Sequence, residues 1–169
     1  MKYNNIILIG MPGSGKTTVG EKLAKNIGFK FIDTDRYIEK TARKPLSKIF
    51  KEEGEEEFKK IEEECILDMD LKNYVISTGG SVVLSPYLMS HLKKKNLTVY
   101  LHCDYDTIEK RLKKENLQRR TVVGSKKMSL KQIYYYRLPL YRKYADKVFY
   151  TNGNIKNTLN IIISELNLK

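Results

Sequence analysis

Ile6 to Ile9 is a continuous apolar run that stops at Gly10, the pattern of a short strand buried on both faces of a parallel sheet. Lys16 to Asn26 then sets Val19, Leu23 and Ile27 on one stripe with Gly28 past the end, which predicts a helix. Lys30 to Ile32 reads as a second strand, Arg36 to Thr41 as a helix, and Leu46 to Glu53 as another short helix before Gly54. Phe58, Ile61, Cys65 and Met69 recur at helical spacing inside a charged segment, so Glu55 to Leu71 is expected as an amphipathic helix with a solvated acidic face. Tyr74 to Ser77 is a third strand, Pro86 to Lys95 a helix, and Leu97 to Leu101 a fourth strand, followed by a helix capped by Asp104 and running to Lys114. From Glu115 to Met128 the apolar periodicity is lost, and Arg119, Arg120, Gly124, Ser125, Lys126 and Lys127 gather in what reads as a mobile basic surface loop. Ser129 opens a helix to Tyr144, Val148 to Tyr150 is a fifth strand, and Ile155 to Leu166 closes as a helix.

Strands alternating with helices predict an α/β fold with a parallel sheet covered on both faces, and ligands then sit at the carboxyl ends of the strands. Gly10, Asp33, Thr78 and His102 all follow strand ends. The length of 169 residues fits one domain spanning 1–169. A net charge of +12 favours anionic ligands without choosing among them. Its distribution is uneven: Lys51 to Glu64 carries eight Glu and three Lys, so the remainder sums to +17. Cys65 and Cys103 lie among apolar residues without CxxC spacing, which argues for two buried thiols rather than a disulfide or a zinc site. Met1 leads directly into a strand pattern and no apolar stretch approaches the roughly 18 residues of a membrane span, so a cytoplasmic protein is expected.

The strongest chemical signal is Gly10-Met-Pro-Gly13-Ser-Gly15-Lys16-Thr17, which matches G-x-x-x-x-G-K-[ST] between a predicted strand and a predicted helix. Its glycines let successive N–H groups converge on phosphate oxygens at a helix start, while Lys16 reaches the β and γ phosphates and Thr17 offers Mg²⁺ its hydroxyl. Pro12 to Thr18 are therefore the nucleotide-binding candidates. Asp33-Thr34-Asp35 follows the second strand: either it simply starts a helix, or Asp33 serves a metal ion while Asp35 accepts a hydrogen bond from a substrate hydroxyl. Gly79-Gly80 is either a turn or a place where the backbone approaches a small ligand closely. Pro139 inside a helical pattern costs about 3 kcal/mol, which makes Arg137 beside it either an anion clamp or an ordinary surface residue. Arg119 and Arg120 are either solvated or close over the γ-phosphate.

Taken together, Gly10 to Thr17, Asp33-Thr34-Asp35, Ile49-Phe50 with Gly54-Glu55 and Phe58, Thr78-Gly79-Gly80, and Arg137 with Pro139-Leu140-Tyr141 and Ala145-Asp146 resemble the shikimate kinase family over nearly the whole chain. The resemblance implies a three-layer P-loop kinase fold with a five-stranded parallel sheet and a lid at about residues 115–128. It also implies ATP- and Mg²⁺-dependent phosphorylation of the 3-hydroxyl of shikimate in aromatic amino-acid biosynthesis. By the same resemblance Asp35 would polarise that hydroxyl, Gly79 and Gly80 would contact the acceptor, and Lys59 and Arg137 would hold its carboxylate. Lys16 and Arg120 would attend the phosphates, Thr17 and Asp33 the metal, Asn154 the adenine, with Arg111 near the base. Three departures stand out: Lys59 where the family has Arg, Ser81 where it has a third glycine, and Arg120-Thr121-Val122-Val123 where it has Arg-Pro-Leu-Leu. An ammonium cannot form the planar fork of a guanidinium. The rivals are a kinase of another small hydroxy acid, such as a gluconate-type acceptor, and a nucleic-acid-binding NTPase suggested by charge and twelve Tyr. The scattered basic residues favour a small-molecule substrate, with no nucleic acid or membrane partner and a monomeric chain.

Overall fold

The computed structural model describes residues 3–114, 122–125 and 127–168. Among them five strands form one parallel sheet in the order β2-β3-β1-β4-β5, where β1 is Ile6–Ile9, β2 Lys30–Asp33, β3 Tyr74–Ser77, β4 Leu97–His102 and β5 Lys147–Tyr150. The central strand has no exposed face. Ile6 and Leu8 pack with Val19, Leu23 and Ala24 of α1 (Lys16–Ile27) and with Leu159 and Ile162 of α7 (Ile155–Glu165). Ile7 and Ile9 face the opposite layer, with Leu88 and Met89 of α4 (Pro86–Lys93), Ile108 and Leu112 of α5 (Tyr105–Lys114), and Ile133 and Tyr141 of α6 (Leu130–Tyr144). This is the expected two-faced burial, with successive side chains of one strand serving different layers.

A third cluster lies beside the sheet, where α2 (Thr34–Ala42) meets α3 (Leu46–Leu67): Ile38, Ile49, Phe50 and Phe58 enclose Val123. Gly54, at φ 83° and ψ 175°, breaks α3 into the two helical pieces anticipated on either side of it. Val122, Val123 and Gly124 are buried, so that stretch of the segment read as a surface loop belongs to the core, while Ser125 and Lys127 are exposed and Arg119 and Arg120 lie outside the described residues.

Local chemistry sets several boundaries. Asp33 accepts the N–H groups of Asp35 and Arg36, so α2 starts at Thr34, two residues before the expected Arg36. Ser129 and Gln132 form a capping box at the start of α6, which runs through Pro139. A 3₁₀ turn at Val82–Leu84 links Ser81 to α4 and was not foreseen. The Asp104 carboxylate is bound by the Asn152 amide and lies 3.2 Å from His102 Nε2. Cys103 is buried but Cys65 is half-buried, because α3 packs that edge only partly. No helix among the described residues is long and apolar enough to cross a membrane.

At the amino end of the sheet, the buried Asn5 donates to the Leu71 carbonyl at 2.7 Å and to Asn96 Oδ1 at 2.9 Å, and accepts the Tyr74 N–H at 3.0 Å. One amide thus aligns the starts of β1 and β3. Asn5→Ala leaves the Leu71 carbonyl and the Tyr74 N–H without this partner and should cost about 2–4 kcal/mol in urea unfolding. Nucleotide affinity of the folded variant should stay unchanged, since Gly10 leaves β1 at its other end.

Candidate active site

Because every strand runs the same way, the segments after β1, β2 and β3 emerge along one edge. The loop after β1 is shaped by Gly10: a Cβ there would stand 2.7 Å from the Leu101 carbonyl oxygen, and its φ of 148° is one that side-chain-bearing residues rarely adopt. The loop feeds α1, whose amino-terminal N–H groups have no helical acceptors and carry partial positive charge. Lys16 is buried against it, its Nζ donating to the Gly10 carbonyl at 2.8 Å and the Met11 carbonyl at 3.0 Å. Thr17 Oγ1 donates to Asp33 Oδ2 at 2.8 Å, which joins the loop after β1 to the end of β2.

Two cavities meet at this loop. One, of about 240 Å³, is lined by Gly13, Ser14, Gly15, Lys16, Thr17 and Thr18, with Arg111, Thr151 and Gly153 across from them. The other, of about 410 Å³, continues from Lys16, Thr17 and Thr18 past Asp33 and Asp35 to Gly79, Gly80, Ser81 and Arg137. Pro12 lines this second cavity rather than the first. Arg137 is 2% exposed and donates to the Val123 carbonyl at 2.7 Å, so it is a built-in cation and not a surface residue. Gly79 and Gly80 do more than turn the chain. The Gly79 N–H donates to the buried Thr34 hydroxyl at 3.1 Å, and the Gly80 carbonyl accepts the Tyr141 hydroxyl at 2.7 Å. Burial pushes the Tyr141 phenol up to about 12, so it remains a donor at neutral pH.

Two expected contacts are made elsewhere. Lys59 is absent from the lining of the second cavity, although Phe58 beside it is present; its ammonium is drawn to Glu56 at 3.0 Å and Glu55 at 3.4 Å, one helical turn back on α3. The Asn154 side chain caps α7 by accepting the Lys156 N–H at 2.8 Å, and the first cavity is lined instead by Gly153 and Ile155 on either side of it. Arg111 lines the first cavity and donates to the Gly13 and Thr151 carbonyls at 3.0 and 2.8 Å.

Sequence reasoning missed Glu62. Its carboxylate is 4% exposed, although the acidic face of α3 was read as solvated. Oε2 accepts the Ser81 hydroxyl at 2.7 Å, while the buried Oε1 has no hydrogen-bond partner among the described residues. Burial pushes the carboxyl up to about 7; the Ser81 hydrogen bond and Arg137 work against that rise and Asp35 adds to it. The missed signal was spacing: Glu62 lies four residues after Phe58 and four before Ile66, in the middle of the buried stripe.

Among the described residues no group of three His, Cys, Asp or Glu side chains could hold a metal ion by itself. Thr17 and Asp33 nevertheless fit Mg²⁺, which favours hard oxygen donors and keeps most of its positions for phosphate and water.

Comparison with known proteins agrees with this geometry. The family model described as "Shikimate kinase" matches residues 12–167. A shikimate kinase of Francisella tularensis subsp. novicida is 39% identical over 165 residues, covering 96% of this chain and 94% of its own. The structure of a shikimate kinase from Acinetobacter baumannii in complex with shikimate superposes with a TM-score of 0.86 at 30% identity, covering 99% of this chain and 95% of the other. That of a shikimate kinase from Bacteroides thetaiotaomicron gives 0.84 at 26% identity, with 97% and 98% covered.

The Glu62 carboxyl carries a stability signature. The folded chain keeps its proton up to about 7, against an ordinary 4.5, so the native state binds more protons than the unfolded state between those values. Stability therefore falls as pH rises through that window, by about 3 kcal/mol, and the deficit is complete above it. Urea unfolding at a series of pH values should show this slope in the parent and a flatter one in Glu62→Gln; equal slopes would contradict the burial of a titrating carboxyl.

Proposed function

We infer the reaction from sequence kinship and geometry together: the chain belongs to the shikimate kinase family, and it transfers the γ-phosphoryl group of ATP to the 3-hydroxyl of shikimate, a step of aromatic amino-acid biosynthesis. The observation that carries this reading is the junction of the two cavities at Lys16, Thr17 and Thr18, with Asp35 on one side and the glycine loop on the other. A donor and an acceptor bound there meet end to end.

The residue roles are our proposal. Backbone N–H groups of Gly13 to Thr18 hold the phosphates, and Lys16 exchanges its loop carbonyls for phosphate oxygens, neutralising charge that spreads over the transferring group. Asp35 orients the acceptor hydroxyl and receives its proton. Arg137 pairs with the acceptor carboxylate, and the bare backbone at Gly79 and Gly80 allows the ring to sit close. Arg120 attends the γ-phosphate from the lid. Thr17 and Asp33 would hold Mg²⁺, which would supply positive charge to offset that of the phosphates. Fixing both partners in line is where most of the acceleration originates, since the protein does no covalent chemistry of its own. Adenine lies between Arg111 and the backbone around Gly153 and Ile155, a reading that replaces the Asn154 side chain. One chain supplies the residues on both sides of the junction, which supports a monomeric enzyme, and use of ATP as phosphoryl donor favours the cytoplasm.

A coupled ADP-release assay tests the assignment. ATP, Mg²⁺ and shikimate should give turnover, and gluconate in place of shikimate should not. Asp35→Asn should lower kcat by about 10²–10⁴ with ATP affinity retained. Arg137→Lys should raise the shikimate KM by about tenfold or more, because an ammonium loses the planar fork. Turnover indifferent to shikimate, or faster with gluconate, would overturn the acceptor.

A further inference from the structure

We propose that Ser81 and Glu62 form a positioning pair for the acceptor, and that the pair takes up a proton when a carboxylate-bearing acceptor engages Arg137. The proposal rests on the acceptor assignment above and adds a linkage that the assignment does not contain.

Four observations carry it. Ser81 stands in the turn after β3 with its hydroxyl on Glu62 Oε2, which fixes the carboxylate plane. The other oxygen, Oε1, is buried without a hydrogen-bond partner among the described residues, close against Gly79: a methyl group built on that glycine would lie 2.3 Å from Glu62 Oε1 and 3.0 Å from Asp35 Oδ1. Two carboxylates thus address one small space, and two like charges that close are not both retained without compensation. The compensating charge is Arg137 of α6, whose Nη1 lies 3.3 Å from a methyl group built on Gly80 and which favours the ionised form of Glu62; Asp35 of α2 opposes it, and Tyr141 of α6 is a further titratable neighbour.

An acceptor carboxylate on the Arg137 guanidinium uses the positive charge that Glu62 relies on. The ionised form of Glu62 is then left with the Ser81 hydroxyl alone, in a site away from water, and protonation at Oε1 is the least costly response. With that proton in place no second anion stands beside Asp35, the residue assigned to receive the hydroxyl proton of the acceptor. Ser81 sets the pH at which the exchange happens, because its hydrogen bond favours the charged form of Glu62.

The test uses the full chain labelled with [δ-¹³C]glutamate, with the Glu62 carboxyl resonance identified by its loss in Glu62→Gln. Without acceptor, its titration midpoint should lie near neutrality in the parent, rise by about one pH unit in Ser81→Ala and return in Ser81→Thr. Saturating shikimate should raise the parent midpoint further and draw a proton from solvent at neutral pH. In steady state Ser81→Ala should move the pH dependence of the shikimate KM, and Ser81→Thr should restore it. An unchanged midpoint in Ser81→Ala overturns the pair, and bound shikimate that leaves the midpoint in place overturns the proton uptake. Failure of shikimate to bind at all overturns the acceptor assignment and with it the uptake, while the acceptor-free titration still decides the pairing.

Discussion

Ile6, Ile7, Leu8 and Ile9 expose no surface, and a strand with two buried faces requires a helical layer on each side and a hydrogen-bonded neighbour at each edge. Parallel pairing of β1 with β3 and β4 meets the second demand, and the odd and even positions of β1 meet the first by packing against different helices. Burial of these four residues therefore dictates direction as well as position. With every strand pointing the same way, Gly10, Asp33 and Thr78 must emerge together, and the chemistry of the protein collects where the chain leaves its own core.

The collecting edge is stiffened by short polar links between loops that are distant in sequence. Thr17 reaches Asp33, Thr34 receives the Gly79 N–H, and the Thr78 hydroxyl returns to the Leu8 carbonyl at 2.9 Å. Each link satisfies groups that a buried loop would otherwise leave unpaired. Together they hold the donor loop and the acceptor loop at a fixed separation, which is what a reaction based on alignment demands. Glu62 is the exception within this set, a carboxyl group with one oxygen bonded to Ser81 and the other without a partner among the described residues.

Period and punctuation were enough to read the sheet, because β1 is a pure apolar run, the other strands are short and mostly apolar, and each is ended by Gly, Asp, Thr or His at the functional edge. Phosphate chemistry was legible for the same local reason, since a glycine loop and its lysine are contiguous. What escaped depended on three-dimensional neighbours. Glu62 looked like one of many acids on a charged helix, yet it shares the stripe of Phe58 and Ile66. Lys59 was assigned to a ligand because of what stands there in the family, whereas helix geometry offers its ammonium two carboxylates of its own. Asn154 looked available for a base until α7 needed a cap. In each case a residue type was read correctly and its nearest competitor was not.

Thr151 gives the arrangement a temporal meaning. Its hydroxyl donates to the Ser14 carbonyl at 2.8 Å and to the His102 carbonyl at 3.0 Å, and its own carbonyl receives Arg111, which also holds Gly13. The nucleotide grip at the start of the chain is thus braced by a residue 137 positions later. During synthesis the first strand and its glycine loop leave the ribosome long before β5 exists, so the loop gains its bracing only when the last strand docks. The first loop of the site is thus shaped in part by the last strand of the sheet.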